Sequence, residues 1–341
     1  MAFGASTTAS EVASIFSDSI KDRVFLITGV NPNGIGGAIA KALAPHSPHL
    51  LILTGRSREK VQAVINDIST AHPQVTCRFL QLDLSSSESI RKAAETVLEY
   101  AEPLHVLINN AGVMAIPTRT LSSEGVEMQF QTNFLGPFLL TNLLLPKLLN
   151  STSSNNSNRI INVASNAHIF SPVRFSDLTF TKTLEAIPEE ERYDVSALEK
   201  LSLLVEDGEY VPWAAYAQSK TAVILFTKAL QTRLKDKNVE CFTLHPGSIE
   251  TDLQRHADQE ALAQARSNAG SMIVKKTLEQ GAATVLLPAL DPQLVFHGQD
   301  EDKVYMVDCV FVDPAVWCNG ERGKTDAEKL WKLGETMTGL S

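Results

Sequence analysis

Tyr216 and Lys220 stand four residues apart in a stretch of helical periodicity, residues 216–234. At 3.6 residues per turn both side chains project from one face. A phenol of pKa about 10 must lose roughly 3 units, or about 4 kcal/mol, to exchange protons near neutrality. An ammonium at about 4 Å and an effective dielectric near 20 supplies a contribution of that size, so the pair could serve as a general acid/base. The same spacing also suits a core tyrosine beside a snorkelling surface lysine. Nearer the N-terminus, Thr28-Gly29-Val30-Asn31-Pro32-Asn33-Gly34-Ile35-Gly36 follows a short apolar run and opens an Ala-rich helical one. Glycines there let the backbone approach a pyrophosphate, and the helix N-terminus presents free N–H groups. Arg56 and Arg58 then occupy the place where an acid would bond an adenosine ribose. They suit a ribose 2′-phosphate instead, and as mere surface residues at a helix start they would oppose its dipole.

The elements that must carry these residues alternate regularly. Short apolar runs at 24–28, 49–54, 78–82, 104–109, 159–163, 239–244 and 303–307 read as strands. Helical patterns at 36–43, 59–68, 87–100, within 121–149 and at 216–234 lie between them. Strands lacking polar alternation, separated by helices, predict a doubly wound α/β fold: a mostly parallel, seven-stranded Rossmann-type sheet covered on both faces. The expected organisation is a small-residue tail at 1–20, one catalytic domain at 21–312 with an insertion at 166–215, and an extension at 313–341. The insertion, long and acidic at Glu189-Glu190-Glu191 and Glu206-Asp207, is expected to act partly as a mobile lid. Residues 150–158, NSTSSNNSN, read as a polar loop.

Composition narrows the function classes. With 30 Lys plus Arg against 39 Asp plus Glu the formal charge is -9, which offers no general attraction to nucleic acid or anionic lipid. No window approaches about 18 uninterrupted apolar residues, so no membrane span is expected. The opening segment lacks a basic n-region, and Cys77, Cys241, Cys309 and Cys318 form no zinc or redox pair. A reduced, cytoplasmic compartment is the expectation, and no metal is assigned.

The glycine-rich turn, Asp83 after the third strand, Asn109-Asn110-Ala111-Gly112 after the fourth, Ser165 after the fifth, Tyr216-x-x-x-Lys220 and Pro246-Gly247 after the sixth occur in a set order. Together they resemble the short-chain dehydrogenase/reductase family over residues 20–312. Gly112-Val113-Met114, Asn133-Phe134-Leu135-Gly136-Pro137-Phe138, Ala215 to Lys220 and His245-Pro246-Gly247 look like its retinol-dehydrogenase-like and WW-domain-oxidoreductase-like branch. The resemblance implies Asn133, Ser165, Tyr216 and Lys220 as the catalytic set. Ser165 would orient the substrate oxygen and Asn133 would hold a relay water beside Lys220. It implies cofactor contacts from Gly29, Asn31, Gly34, Ile35, Gly36, Arg56, Arg58, Asp83, Leu84, Asn110, Ala111 and Gly112. Tyr216, Lys220, Pro246, Gly247, Ile249 and Thr251 complete that set, with Asn109 beside the channel. Two departures stand out: the first turn is one residue longer than usual, and the usual Ser-Ser pair is Ala164-Ser165. His168 reads as a polar loop residue, since Tyr216 already serves as the acid/base.

The expected activity is hydride transfer between NADP(H) and a carbonyl or alcohol, as in a carbonyl reductase of secondary metabolism. Ile169, Phe170, Leu201, Leu203, Leu204, Val211 and Trp213 point to a lipophilic substrate such as a retinoid, steroid or polyketide carbonyl. A lyase, epimerase or cyclase keeping NADP as a scaffold, and an NADP-binding regulatory protein, stay open as alternatives. So does a homodimer.

Overall fold

In the computed structural model, described over residues 3–151, 157–204, 210–270, 274–295 and 303–340, the apolar runs become one sheet. Its strands are β1 (Val24–Ile27), β2 (Leu50–Gly55), β3 (Cys77–Gln81), β4 (Val106–Asn109), β5 (Asn158–Val163), β6 (Val239–His245), β7 (Tyr305–Val307) and β8 (Val310–Phe311). The spatial order is β3-β2-β1-β4-β5-β6-β7-β8, and only the β7 and β8 pairing is antiparallel. The sheet thus has eight strands where seven were expected. The additional β8 is a two-residue return, too short to carry a periodic signal.

The helices are α1 (Ala9–Ile15), α2 (Ile35–Leu43), α3 (Arg58–Ala71), α4 (Ser87–Glu99), α5 (Met128–Phe130), α6 (Gly136–Leu149), α7 (Val195–Lys200), α8 (Pro212–Arg233), α9 (Gln259–Ala269), α10 (Leu278–Leu290) and α11 (Gly320–Thr338). Strand residues alternate between two apolar layers, which is why the strands show no polar face. Val24 and Leu26 join a layer with α4, α6, α8 and α11, whereas Phe25 and Ile27 join one with α1, α2, α3 and α10. The order reverses between β1 and β4, so the chains leaving their C-terminal ends diverge and open a crevice.

Two segments depart from the sequence reading, and the insertion has a packed part. The expected N-terminal tail contains α1, closed by a capping box in which Thr8 Oγ1 accepts from Glu11 N (3.3 Å) and the Glu11 carboxylate accepts from Thr8 N (2.7 Å). Its Ala9, Val12 and Ala13 are buried, and the helix packs on α10. The long helix expected within 121–149 is interrupted between α5 and α6 by a π turn, Gln131–Leu135. Beyond β5 the insertion is partly anchored: Arg174 and Asp177 form a buried ion pair at 2.6 Å, with the guanidinium 4.0 Å above the Phe180 ring. Glu206 and Asp207, and residues 152–156 of the polar loop, lie outside the described residues.

At the C-terminus α11 brings Trp331 to 5.1 Å from the Phe138 ring and 6.0 Å from that of Phe226. This ties the extension to α6 and α8.

Candidate active site

A cavity of about 1040 Å³ runs along the C-terminal ends of the parallel strands, large enough for a dinucleotide and a substrate together. In its middle, Gly29 sits at φ +72°, and a Cβ there would lie 2.7 Å from Ala111 Cα. Only glycine lets the turns after β1 and β4 close so tightly. α2 follows an N-cap, Gly34, that offers its first N–H groups no side-chain acceptor, and Gly34 and Ile35 both border the cavity. Gly29, Asn31, Gly34, Ile35, Asn110, Ala111 and Gly112 all line the space. Gly36 does not: a Cβ there would meet Asn110 Nδ2 at 2.8 Å, so it serves close packing beneath the turn. Asn109 is likewise turned away, its Nδ2 donating to Asn162 Oδ1 (2.8 Å) and Thr141 Oγ1 (2.9 Å) within the core.

The end near β2 and β3 is basic. Arg56, Ser57 and Lys60 line it with Asp83 and Leu84. Arg58 is not brought in, because its guanidinium stacks 4.3 Å over Phe79, where the ring face attracts the cation. Lys60, in the first turn of α3, lines the cavity instead and pairs with Asp252 at 2.7 Å. Asp83 Oδ1 accepts from Ser85 N (2.9 Å) and Ser85 Oγ (2.6 Å), so it shapes its own turn while bordering the cavity. An uncapped helix start, a cradle that a Cβ would fill and cations beyond it fit an elongated polyanion.

At the β5 end Ser165, Tyr216 and Lys220 line the cavity together, with Pro246, Gly247, Ile249 and Thr251 beside them. Burial pushes the Tyr216 phenol up to about 12, opposed by its hydrogen bond with the Ser165 side chain. Burial also pulls Lys220 down to about 7. The direction for Tyr216 is opposite to the sequence expectation: Lys220 Nζ lies 5.7 Å from the ring centroid and donates to Val163 O at 2.8 Å. Desolvation therefore outweighs the ammonium's field in the protein itself. Asn133, from the π turn, lies behind this wall. Its Oδ1 accepts from Val113 N (2.8 Å), and its Nδ2 donates to Val113 O and Ser219 Oγ, both at 2.9 Å. A Cβ on Gly112 would be 3.0 Å from Asn133 Oδ1 and 3.6 Å from Lys220 Nζ, so the two flank one backbone point.

His168 is no loop residue. It is buried, its Nε2 accepts from Ala315 N (3.0 Å), and Nδ1 therefore carries the proton donated to Ser165 O (2.7 Å). Burial holds its pKa down to about 4. The ring thus ties the serine turn to the C-terminal extension as a neutral imidazole. Its flanking residues in sequence gave no sign of this, nor of the parts played by Lys60 and Arg255 in lining the basic end. Outward from Tyr216 the wall becomes apolar, with Met114, Ile169, Phe170, Leu203, Trp213 and Leu262.

With this geometry in hand, comparison with known proteins is informative. A model of the short chain dehydrogenase family matches residues 23–176 and 205–262. Oxidoreductase fscI of Fusarium equiseti is 39% identical over 245 residues, covering 72% of this chain and 94% of that protein. Retinol dehydrogenase 13 of Homo sapiens is 40% identical over 240 residues, covering 70% of this chain and 62% of that protein. The Pseudomonas aeruginosa RhlG/NADP active-site complex superposes with a TM-score of 0.60 at 24% identity, over 83% of this chain and 94% of that one, a likeness of fold. The chain belongs to the short-chain dehydrogenase/reductase family.

Proposed function

We propose that this member of the family is an NADP(H)-dependent oxidoreductase that reduces a carbonyl on a lipophilic small molecule, with Tyr216 as the proton donor. The observation that carries the reading is one cavity joining a basic, glycine-cradled end to a wall of Ser165, Tyr216 and Lys220. Solved relatives of the same fold that hold NADP support the choice of cofactor. NADPH, when bound, supplies hydride from its nicotinamide. Gly29, Asn31, Gly34 and Ile35 would hold its diphosphate, Arg56 its 2′-phosphate, and Pro246, Gly247, Ile249 and Thr251 its nicotinamide end. Asp83, Leu84, Asn110, Ala111 and Gly112 would border its adenosine and ribose portions.

The chain's own residues handle the proton. The Ser165 hydroxyl would bond the substrate oxygen and hold it near the Tyr216 phenol. A phenol kept protonated by burial is in the state that a proton donor needs. The resulting phenolate would be met by Lys220, and Asn133 keeps that wall in register. The apolar mouth would exclude water and select lipophilic substrates.

The test is NADPH consumption with a panel of lipophilic aldehydes and ketones, with product identification. Alcohol products are expected, and products of unchanged oxidation level would overturn the redox reading. In Tyr216→Phe, turnover should fall by about a hundredfold to ten-thousandfold while the unfolding midpoint stays near that of the parent. A folded Tyr216→Phe protein with near-parental turnover would remove Tyr216 from the mechanism.

A further inference from the structure

The chain after β6 does something its position in the sheet does not require. It leaves at the sixth strand in sequence and returns to the β2 end, where Lys60 of α3 pairs with Asp252 at 2.7 Å. Residues 246–251 therefore pass the C-terminal ends of the intervening strands β5, β4 and β1, and the short 3-10 turn Asp252–His256 lies at the β2 end of the cavity. Arg255 projects from this turn into the cavity lining, held by a bond from Nη1 to Asp252 O at 2.7 Å. Arg56 lines the same space from the end of β2.

We propose that Arg255 is a second clamp on the ribose 2′-phosphate of NADPH, acting with Arg56, so that this phosphate also fastens the turn bordering the substrate cavity. The inference rests on the cofactor reading above and extends it to a residue distant in sequence. Two guanidinium groups facing one space repel each other unless an anion lies between them. Burial, and then the charge of Arg56, hold Arg255 below its ordinary pKa against the opposing charge of Asp252. The nearby carboxylate, Asp252, is already engaged with Lys60. A dianionic phosphate would satisfy both arginines through charge-assisted bonds. The same turn carries Leu253 into the cluster that contains Tyr216, Met114 and Leu262. Fastening one end of the turn thereby sets the apolar wall next to the phenol.

The test is calorimetric titration of the parent, Arg255→Gln and Arg56→Gln proteins with NADPH, NADH and adenosine 2′,5′-bisphosphate. Arg255→Gln should weaken NADPH and the bisphosphate by about tenfold or more and leave NADH within about twofold. Hydrogen exchange over residues 252–269 should slow on adding NADPH to the parent, and slow much less in Arg255→Gln. Equal weakening toward NADH, or unchanged affinity for the bisphosphate, would overturn the proposal. A parent protein that binds neither dinucleotide would instead sink the cofactor reading itself. Loss in Arg56→Gln alone would sink only the role of Arg255.

Discussion

At the scale of single residues, the two groups of the Tyr216 and Lys220 pair are displaced in opposite senses by the same cause, removal from water. For Lys220 the consequence is a pH-dependent stability whose sign is fixed. Its pKa falls from 10.5 in the open chain to about 7 in the fold, so between those values the unfolded state binds more protons. Stability must then rise with pH, by at most about 1.4 kcal/mol per pH unit. Urea unfolding of the parent and of Lys220→Met from pH 7 to 9.5 should show the difference between them growing in the parent's favour. Tyr216 is protonated in both states over most of that window and contributes little. A constant difference would mean that Lys220 keeps its charge in the fold. The type and spacing of this pair were legible in sequence. The balance between burial and the ammonium's field was not, because it depends on Val163 O standing where it can hold Lys220 Nζ.

Among the elements, the strands and most helices could be read because buried parallel strands are continuous apolar runs. What escaped reading had other physical origins. α1 was signalled by Thr8 and Glu11 at capping-box spacing, but its small residues looked like a tail. Arg58 leaves the cavity for an aromatic face on a neighbouring strand, a tertiary choice that no local pattern records. The segment after β5 was read as partly mobile from its length and its acidic runs, which say nothing of its packed part: Asp177 accepts from Thr181 N (2.8 Å) and Lys182 N (3.1 Å) while pairing with Arg174. Asp177→Asn would strand a buried guanidinium. It should destabilise the protein by about 3 to 5 kcal/mol in urea unfolding, and a loss below about 1 kcal/mol would show that water reaches Arg174.

For the molecule as a whole, the cavity draws residues from turns after β1, β2, β3, β4, β5 and β6, so a ligand there ties both halves of the sheet to one another. At about a hundredfold excess over its dissociation constant, NADPH should add about 2.7 kcal/mol of stability. With the usual entropy of unfolding per residue, that is a rise of about 4 °C in Tm by scanning calorimetry. NADH at the same concentration should raise it less, and an equal rise would argue against selection for the 2′-phosphate. The π turn at Gln131–Leu135 has a different kind of consequence, for how the gene can change. A π turn is an α-helix holding one residue too many. Deleting a codon there would restore regular geometry and leave the flanks nearly in register, because five residues of π turn cover about the rotation of four of α-helix, but it would re-aim the side chains of the turn itself. Phe138 would keep Trp331, whereas Asn133 would lose Val113 and Ser219. The extra residue of the π turn is therefore required by the site, where it aims Asn133, and not by the helix that carries it.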